Sequence, residues 1–228
     1  MHIHIEGWRM IGLVGFLTMS LLLFFYLFDH GQRYYPYLFI GSVGILAMLF
    51  LCYFFRDPER KVPPPEQELG GILAPSDGTV LRVEKESNVG PDTRHGYGHR
   101  IYVYLSPLDV HVNRVPCSGT VSNIKYMPGT FALAWTDKAS KENESCLTEI
   151  RDEHTGDIIG VRQVAGRLAQ QIINDCVVGQ RVTRGEKFGI IRFGSQVEIS
   201  VPRHYKILCS AGDRLVGGET FVCQRSKC

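Results

Sequence analysis

The 228 residues hold seven cysteines but no Cys-x-x-Cys pair, and no HExxH segment. A structural zinc site and a zinc peptidase are therefore short of ligands, since only one histidine sits near Asp109 and a catalytic zinc needs three protein ligands. The cysteines are Cys52, Cys117, Cys146, Cys176, Cys209, Cys223 and Cys228. Their odd number and irregular spacing argue against a disulfide framework and fit a soluble part facing a reducing cytoplasm. They read as small buried apolar residues. An excess of one charge is missing too: 25 Lys and Arg against 23 Asp and Glu leave +2. Nucleic-acid binding normally shows as a concentrated basic surface, so that class is set aside. Internal repeats and low-complexity tracts are absent.

The scarcity of charge is greatest at the start, where residues 1–55 carry only Glu6, Arg9, Asp29 and Arg33. Two runs within this stretch, Met10 to Phe28 and Tyr37 to Phe55, contain no charged residue. Each is about one bilayer long, and its Leu, Ile, Phe and Val outweigh the less favourable Gly, Ser and Tyr. Residues 1–55 are thus expected to be a membrane anchor, a transmembrane helical hairpin with spans near 10–28 and 37–55. A cleaved signal peptide fits poorly, because the first apolar run is too long and no small-residue cleavage site follows it. Arg56, Arg60 and Lys61 follow the second span, whereas the connector has only Arg33. The positive-inside bias then puts the termini, and the domain beyond, on the cytoplasmic face of the cell (inner) membrane.

Residues 56–70, with Pro58, Pro63, Pro64 and Pro65, cannot continue a helix and read as a stiff linker. Beyond it, residues 71–228 show short β-branched and aromatic runs between Gly, Pro, Asn and Asp: Gly78 to Val83, Arg100 to Leu105, Gly119 to Tyr126, Ile158 to Val164, Phe188 to Val201 and Thr220 to Val222. The fold class is mainly β, a sandwich or barrel. One helix is expected over Ala165 to Cys176, where Leu168, Ile172 and Ile173 share a face.

Three polar stretches interrupt these runs. Ala74 to Gly78 reads APSDG, a turn that exposes Asp77 at the head of a strand. Ser106 to Pro116 reads SPLDVHVNRVP, in which Asp109, His111 and Asn113 alternate with apolar residues and share one face of an extended chain, as on any half-solvated strand. Arg192 to Glu198 reads RFGSQVE, where a Gly-Ser step inside a strand pattern marks a bulge or tight bend. It is not a nucleophile elbow, because GxSxG is absent around it.

Taken together with FFRDPER (Phe54 to Arg60) and KASKENE (Lys138 to Glu144), these stretches resemble, in order and spacing, the short bacterial and archaeal form of phosphatidylserine decarboxylase. The resemblance runs from about Phe54 to the C-terminus. It implies a barrel-sandwich-like catalytic domain made as a proenzyme, which cuts itself between Gly194 and Ser195 and leaves a pyruvoyl group at Ser195. Chains 1–194 and 195–228 then stay associated. In turnover the pyruvoyl carbonyl forms a Schiff base with the serine amine of the phospholipid and takes up electrons as carbon dioxide leaves, giving phosphatidylethanolamine. No metal or diffusible cofactor is implied. His111 is the expected base, being the histidine within a matching motif and titrating near neutrality. Asp77 is expected to orient it, as in an Asp-His-Ser arrangement.

Some longer members carry a second histidine where Arg114 stands here, so a two-histidine mechanism does not carry over to this chain. The family pattern often has arginine at the positions of Ser145, Gln170, Gln171 and Gln196. With those cations missing, Arg114, Asn113 and Arg192, together with Arg167, are the candidate contacts for the substrate's phosphate or carboxylate. Two alternatives stand beside this reading. One is a non-catalytic membrane-tethered β domain that binds lipid headgroups or a partner. The other is the same chemistry on an archaeal-type serine ether lipid.

Overall fold

The two uncharged runs are helices in the computed structural model, which describes residues 2–28, 34–64, 70–85, 97–167, 171–192 and 194–226. The chain divides into two compact units, Met1–Glu59 and Arg60–Cys228. In the first, helix α1 spans Ile5–Phe28 and α2 spans Tyr35–Phe54. Both are long and apolar enough to cross a bilayer. Pro36 lies in the first turn of α2, where its missing N–H costs nothing. Helix α1 starts earlier than its apolar run, and Glu6 pairs with Arg9 across one turn at 2.9 Å. Strand β1 (His2–Ile3) pairs antiparallel with β2 (Arg56–Asp57), so the entry to the first helix and the exit of the second lie side by side. The first two residues of the expected linker are therefore tied into this unit.

The second unit is mainly β, as its composition predicts. Its first strands are β3 (Gly71–Leu73), β4 (Gly78–Lys85), β5 (Tyr97–Leu105), β6 (Val112–Arg114) and β7 (Gly119–Met127). A short helix α3 (Asp137–Glu142) follows, then β8 (Ser145–Asp152), β9 (Ile158–Val164), β10 (Ile172–Asn174), β11 (Arg181–Val182) and β12 (Lys187–Ile191). The last strands are β13 (Ser195–Pro202), β14 (Tyr205–Ile207), β15 (Arg214–Leu215) and β16 (Phe221–Arg225). A curled eight-stranded antiparallel sheet runs β11-β7-β8-β9-β13-β5-β4-β15. Two three-stranded sheets, β10-β12-β6 and β14-β16-β3, complete the domain.

Alternation builds the core. Val197, Ile199 and Val201 of β13 lie on one face with Ile101, Val103 and Leu105 of β5 and with Ile159 and Val161 of β9, all fully buried. The opposite face carries Gln196, Glu198 and Ser200. The helix expected over Ala165 to Cys176 does not form: Ile172–Asn174 is strand β10, paired with Gly189, Ile190 and Ile191 of β12. Its two isoleucines suit a strand as well as a helix face, and the pairing with β12 decides. Leu168 lies outside the described residues.

Candidate active site

The run expected over Phe188 to Val201 is two strands in two sheets. β12 belongs to the three-stranded sheet and β13 to the large one, so the chain changes sheets between Ile191 and Ser195. Gly194 makes the turn at φ +65°, in the left-handed region that only glycine enters freely. Its carbonyl oxygen rests against Gly166. A β-carbon built on Gly166 would fall 1.8 Å from that oxygen and 3.1 Å from the Ala134 β-carbon. Ser195 opens β13 opposite Leu105 and is fully buried. Its hydroxyl has no hydrogen-bond partner among the described residues. Leaving a buried hydroxyl unpaired costs about 1–3 kcal/mol, a cost that a stable fold avoids unless the group is needed free.

His111 is fully buried and faces this turn. Its Nε2 accepts the Gly194 N–H at 3.3 Å, and its Nδ1 lies 3.0 Å from the Asp109 carbonyl oxygen. The partners fix the tautomer, because a carbonyl can only accept and an amide N–H can only donate. The proton therefore sits on Nδ1, and the Nε2 lone pair points at the Gly194 backbone. The His111 carbonyl in turn accepts the Asn113 side-chain amide at 3.3 Å and the Ile191 N–H at 3.5 Å. The histidine and the Gly-Ser step thus meet through the Gly194 N–H.

Asp77 was expected to orient the imidazole, but its hydrogen bonds go elsewhere. Both its oxygens accept from Arg60 Nη2, at 2.8 and 2.9 Å, and Oδ1 also accepts the Gly217 N–H at 2.8 Å. The half-buried ion pair explains why FFRDPER and APSDG occur together: Arg60 of one meets Asp77 of the other. It is the Asp109 backbone that holds the imidazole, while the Asp109 carboxylate accepts from the Ser106 N–H and from Arg214 Nη2, both at 2.8 Å. A backbone contact of this kind leaves no mark in a sequence.

The residues expected to contact substrate also separate. Asn113 is fully buried, donating to the His111 carbonyl and accepting from Gln163 Nε2 at 2.8 Å. Gln163 Oε1 accepts from Asn174 at 3.2 Å, which also donates to Thr148 at 2.7 Å. Asn113 therefore braces the histidine loop from inside, and no part of it faces outward. Arg114 is buried as well, with Nη1 donating to the Gly185 carbonyl at 3.1 Å. Arg192 is half-buried and Arg167 exposed. They stand two residues before Gly194 and one after Gly166, respectively, in the sequence. Gln171 is exposed, and Gln170 lies outside the described residues.

On the outer face of the large sheet, the absent arginines are explained by a different set. Glu198 is fully buried; its Oε1 accepts from Ser140 at 2.5 Å and from Gln196 at 3.1 Å. Arg162 and Arg100 approach its other oxygen at 3.5 and 3.6 Å. Arg162 also donates to Ser145 Oγ at 2.9 Å. Ser145 and Gln196 are hydrogen-bonding members of a network whose positive charge comes from Arg100 and Arg162. The KASKENE stretch supplies Ser140 to this network and Asn143 to the loop above it. Asn143 donates to the Ala132 and Ala165 carbonyls at 2.9 and 2.7 Å and accepts the Ala132 N–H at 2.7 Å. This clamp fixes Ala165, and with it Gly166, against the Gly194 carbonyl. Nearby, burial and then the Asp109 charge raise the Tyr104 phenol above its ordinary pKa, so it stays neutral. Among the described residues no three His, Cys, Asp or Glu side chains gather as a metal-binding group.

Fold and site together describe a β domain with a histidine lone pair turned on a left-handed Gly-Ser step. A family model described as phosphatidylserine decarboxylase matches residues 47–223. Proteins named phosphatidylserine decarboxylase proenzyme are similar over most of their length. That of Chlorobium phaeovibrioides is 38% identical over 185 residues, 81% of each chain. The Salinibacter ruber protein is 41% identical over 181 residues, 79% of this chain and 77% of its own. The Symbiobacterium thermophilum protein is 36% identical over 220 residues, 95% of this chain and 93% of its own. The chain belongs to the phosphatidylserine decarboxylase family, whose members are carboxy-lyases.

Proposed function

We propose that this chain is a self-processing proenzyme that cuts its Gly194–Ser195 bond and then decarboxylates phosphatidylserine to phosphatidylethanolamine at the membrane. The observation that carries the reading is the fully buried, unpartnered Ser195 hydroxyl beside a left-handed glycine whose amide faces a neutral imidazole. Ser195 Oγ attacks the Gly194 carbonyl carbon as His111 Nε2 takes its proton. The same proton then passes to the Ser195 nitrogen as the amide C–N bond breaks, leaving an ester. Loss of the Cα proton of residue 195 expels the Gly194 carboxylate. The remaining enamine takes up water and releases ammonia, which leaves a pyruvoyl end on the small chain. Gly194 allows the bend, and Gly166 leaves room for the carbonyl.

The site suits such a group, because residue 195 is enclosed and needs no partner for a hydroxyl that is consumed. A pyruvoyl carbonyl supplies the amine capture and electron withdrawal that decarboxylation requires. His111 holds the mobile proton at Nε2, and the Asp109 carbonyl keeps that nitrogen pointed inward. Arg192 and Arg167, near Gly194 and Gly166 in sequence, are candidate contacts for the headgroup's phosphate and carboxylate. The two chains stay together because β13 is hydrogen-bonded to β5 on one side and β9 on the other. The bilayer-length helices support a membrane location, and Arg56, Arg60 and Lys61 after α2 support the cytoplasmic face of the inner membrane.

A denaturing gel of purified protein tests the reading. Two chains are expected, the small one blocked at its start and lighter than a serine-initiated peptide by one ammonia. A folded, intact chain that releases carbon dioxide from phosphatidylserine would rule it out.

A further inference from the structure

The pairing registers put one line of residues across the end of the large sheet: Met127, Ser145, Val164, Gln196 and Tyr104. Ser195 lies at this end, as do the loops that follow β5, β7 and β9. Here the domain shows an unusual surface. Leu108, in the loop that carries His111, is 63% exposed, and Trp135, next to the Ala134 that packs toward Gly166, is 52% exposed. Tyr126 at the end of β7 is 57% exposed. Trp135 is held outward by an edge-on contact with Tyr104 at 5.6 Å between ring centres. Exposed Arg167 follows β9, and exposed Lys141 lies in α3, between β7 and β8, a helix that also carries exposed Asp137 and Glu142.

We propose that this end of the domain is a membrane-docking face, with Trp135 and Leu108 entering the boundary between headgroups and acyl chains and Lys141 and Arg167 resting on anionic headgroups. The occupant is a phospholipid bilayer. Two bilayer-length helices in the same chain keep such a surface always within reach of the domain. An exposed indole and leucine, with Lys141 and Arg167 on the connections nearby, are side chains that such a boundary accepts. Docking here, which rests on the proposed lipid chemistry, delivers the substrate headgroup to residue 195 while its acyl chains stay in the bilayer.

The chain has two tryptophans, so Trp8→Phe leaves Trp135 as the only indole. The full-length variant is reconstituted into vesicles of phosphatidylglycerol and phosphatidylcholine, with or without bromine near the top of the acyl chains. Trp135 is expected to lose most of its emission to the brominated lipid and to resist quenching by aqueous iodide. Iodide quenching without bromine quenching would overturn the proposal, and so would resistance to both, which would mean that protein covers the residue. A gel of the same sample separates the two ideas. Cleaved protein with Trp135 in water sinks the docking face alone, whereas an uncleaved chain sinks the proposed chemistry. In addition, Leu108→Ser with Trp135→Ser is expected to lose more activity on phosphatidylserine in vesicles than on a short-chain, water-dispersed form. Equal loss on both would refute docking.

Discussion

Replacing Gly166 by alanine puts a methyl carbon 1.8 Å from the Gly194 carbonyl oxygen, where real β-carbons essentially never approach closer than 3.0 Å. One of the two groups has to move by about 1.2 Å, taking that difference as the minimum. The Gly166 side is held by Asn143 through the Ala165 carbonyl, so the carbonyl at the turn is the part that yields. A misplacement of about 1 Å at a reacting centre costs on the order of a hundred-fold in rate, or about 2.7 kcal/mol of barrier. Gly166→Ala is therefore expected to fold and to cleave itself about a hundred times more slowly than the parent. The assay is a pulse of synthesis followed by a denaturing-gel time course, with circular dichroism to confirm the fold. Hydroxylamine, which splits esters, should release no extra fragment, because the block precedes the ester. Activity per mature small chain should stay near that of the parent, since the displaced carbonyl leaves with the large chain's new end. A folded Gly166→Ala protein that matures at the parental rate would refute the role of this contact.

Other outcomes follow from the same geometry. Ser195→Ala should give a folded, uncleaved and inactive protein, visible as a single band, while normal processing would remove Ser195 from the chemistry. His111→Ala should slow maturation by about a hundred-fold or more, the usual contribution of a general base, and unchanged processing kinetics would exclude the imidazole. Asp77→Ala strips Arg60 of its half-buried partner and should lower stability by about 3 kcal/mol in denaturant unfolding. The double change Arg60→Met with Asp77→Leu should recover most of that loss. Burial pushes the Cys176 and Cys209 thiols up to about 11, and those of Cys117 and Cys223 well above 9. The folded chain keeps these protons while the unfolded chain releases them above the ordinary value of 9. Stability should therefore be complete below pH 9 and fall as pH rises beyond it, as denaturation midpoints at pH 7 and 10.5 would register.

What could be read beforehand was whatever depended on repeated side-chain pattern. The two helices declared themselves as uncharged apolar runs, and β4, β5, β7 and β9 as alternating β-branched runs near their observed ends. Strands of two or three residues, such as β6, β10, β11 and β15, carry too few positions for a period to appear, and Ile172 and Ile173 fit a helix face equally well. The Phe188 to Val201 run concealed a change of sheet, because apolar residues flank the break on both sides. At the site, the motifs that hold His111 and Gly194 were legible, and the fold brings them together. The Asp109 carbonyl and the seat at Gly166 were not, since one is a backbone atom and the other an absence of side chain. Asp77 was expected beside the histidine and instead meets Arg60, because no one-dimensional signal distinguishes a carboxylate that meets an arginine from one that meets a histidine.

Strand β13 is stitched along both edges into the middle of the large sheet, and residue 195 is its first residue. On the proposed processing, a reactive end made there could not be exchanged, reloaded from solution or handed to another molecule. Each polypeptide would receive a single charge of reactivity at birth, and chemical damage to it would retire the whole protein.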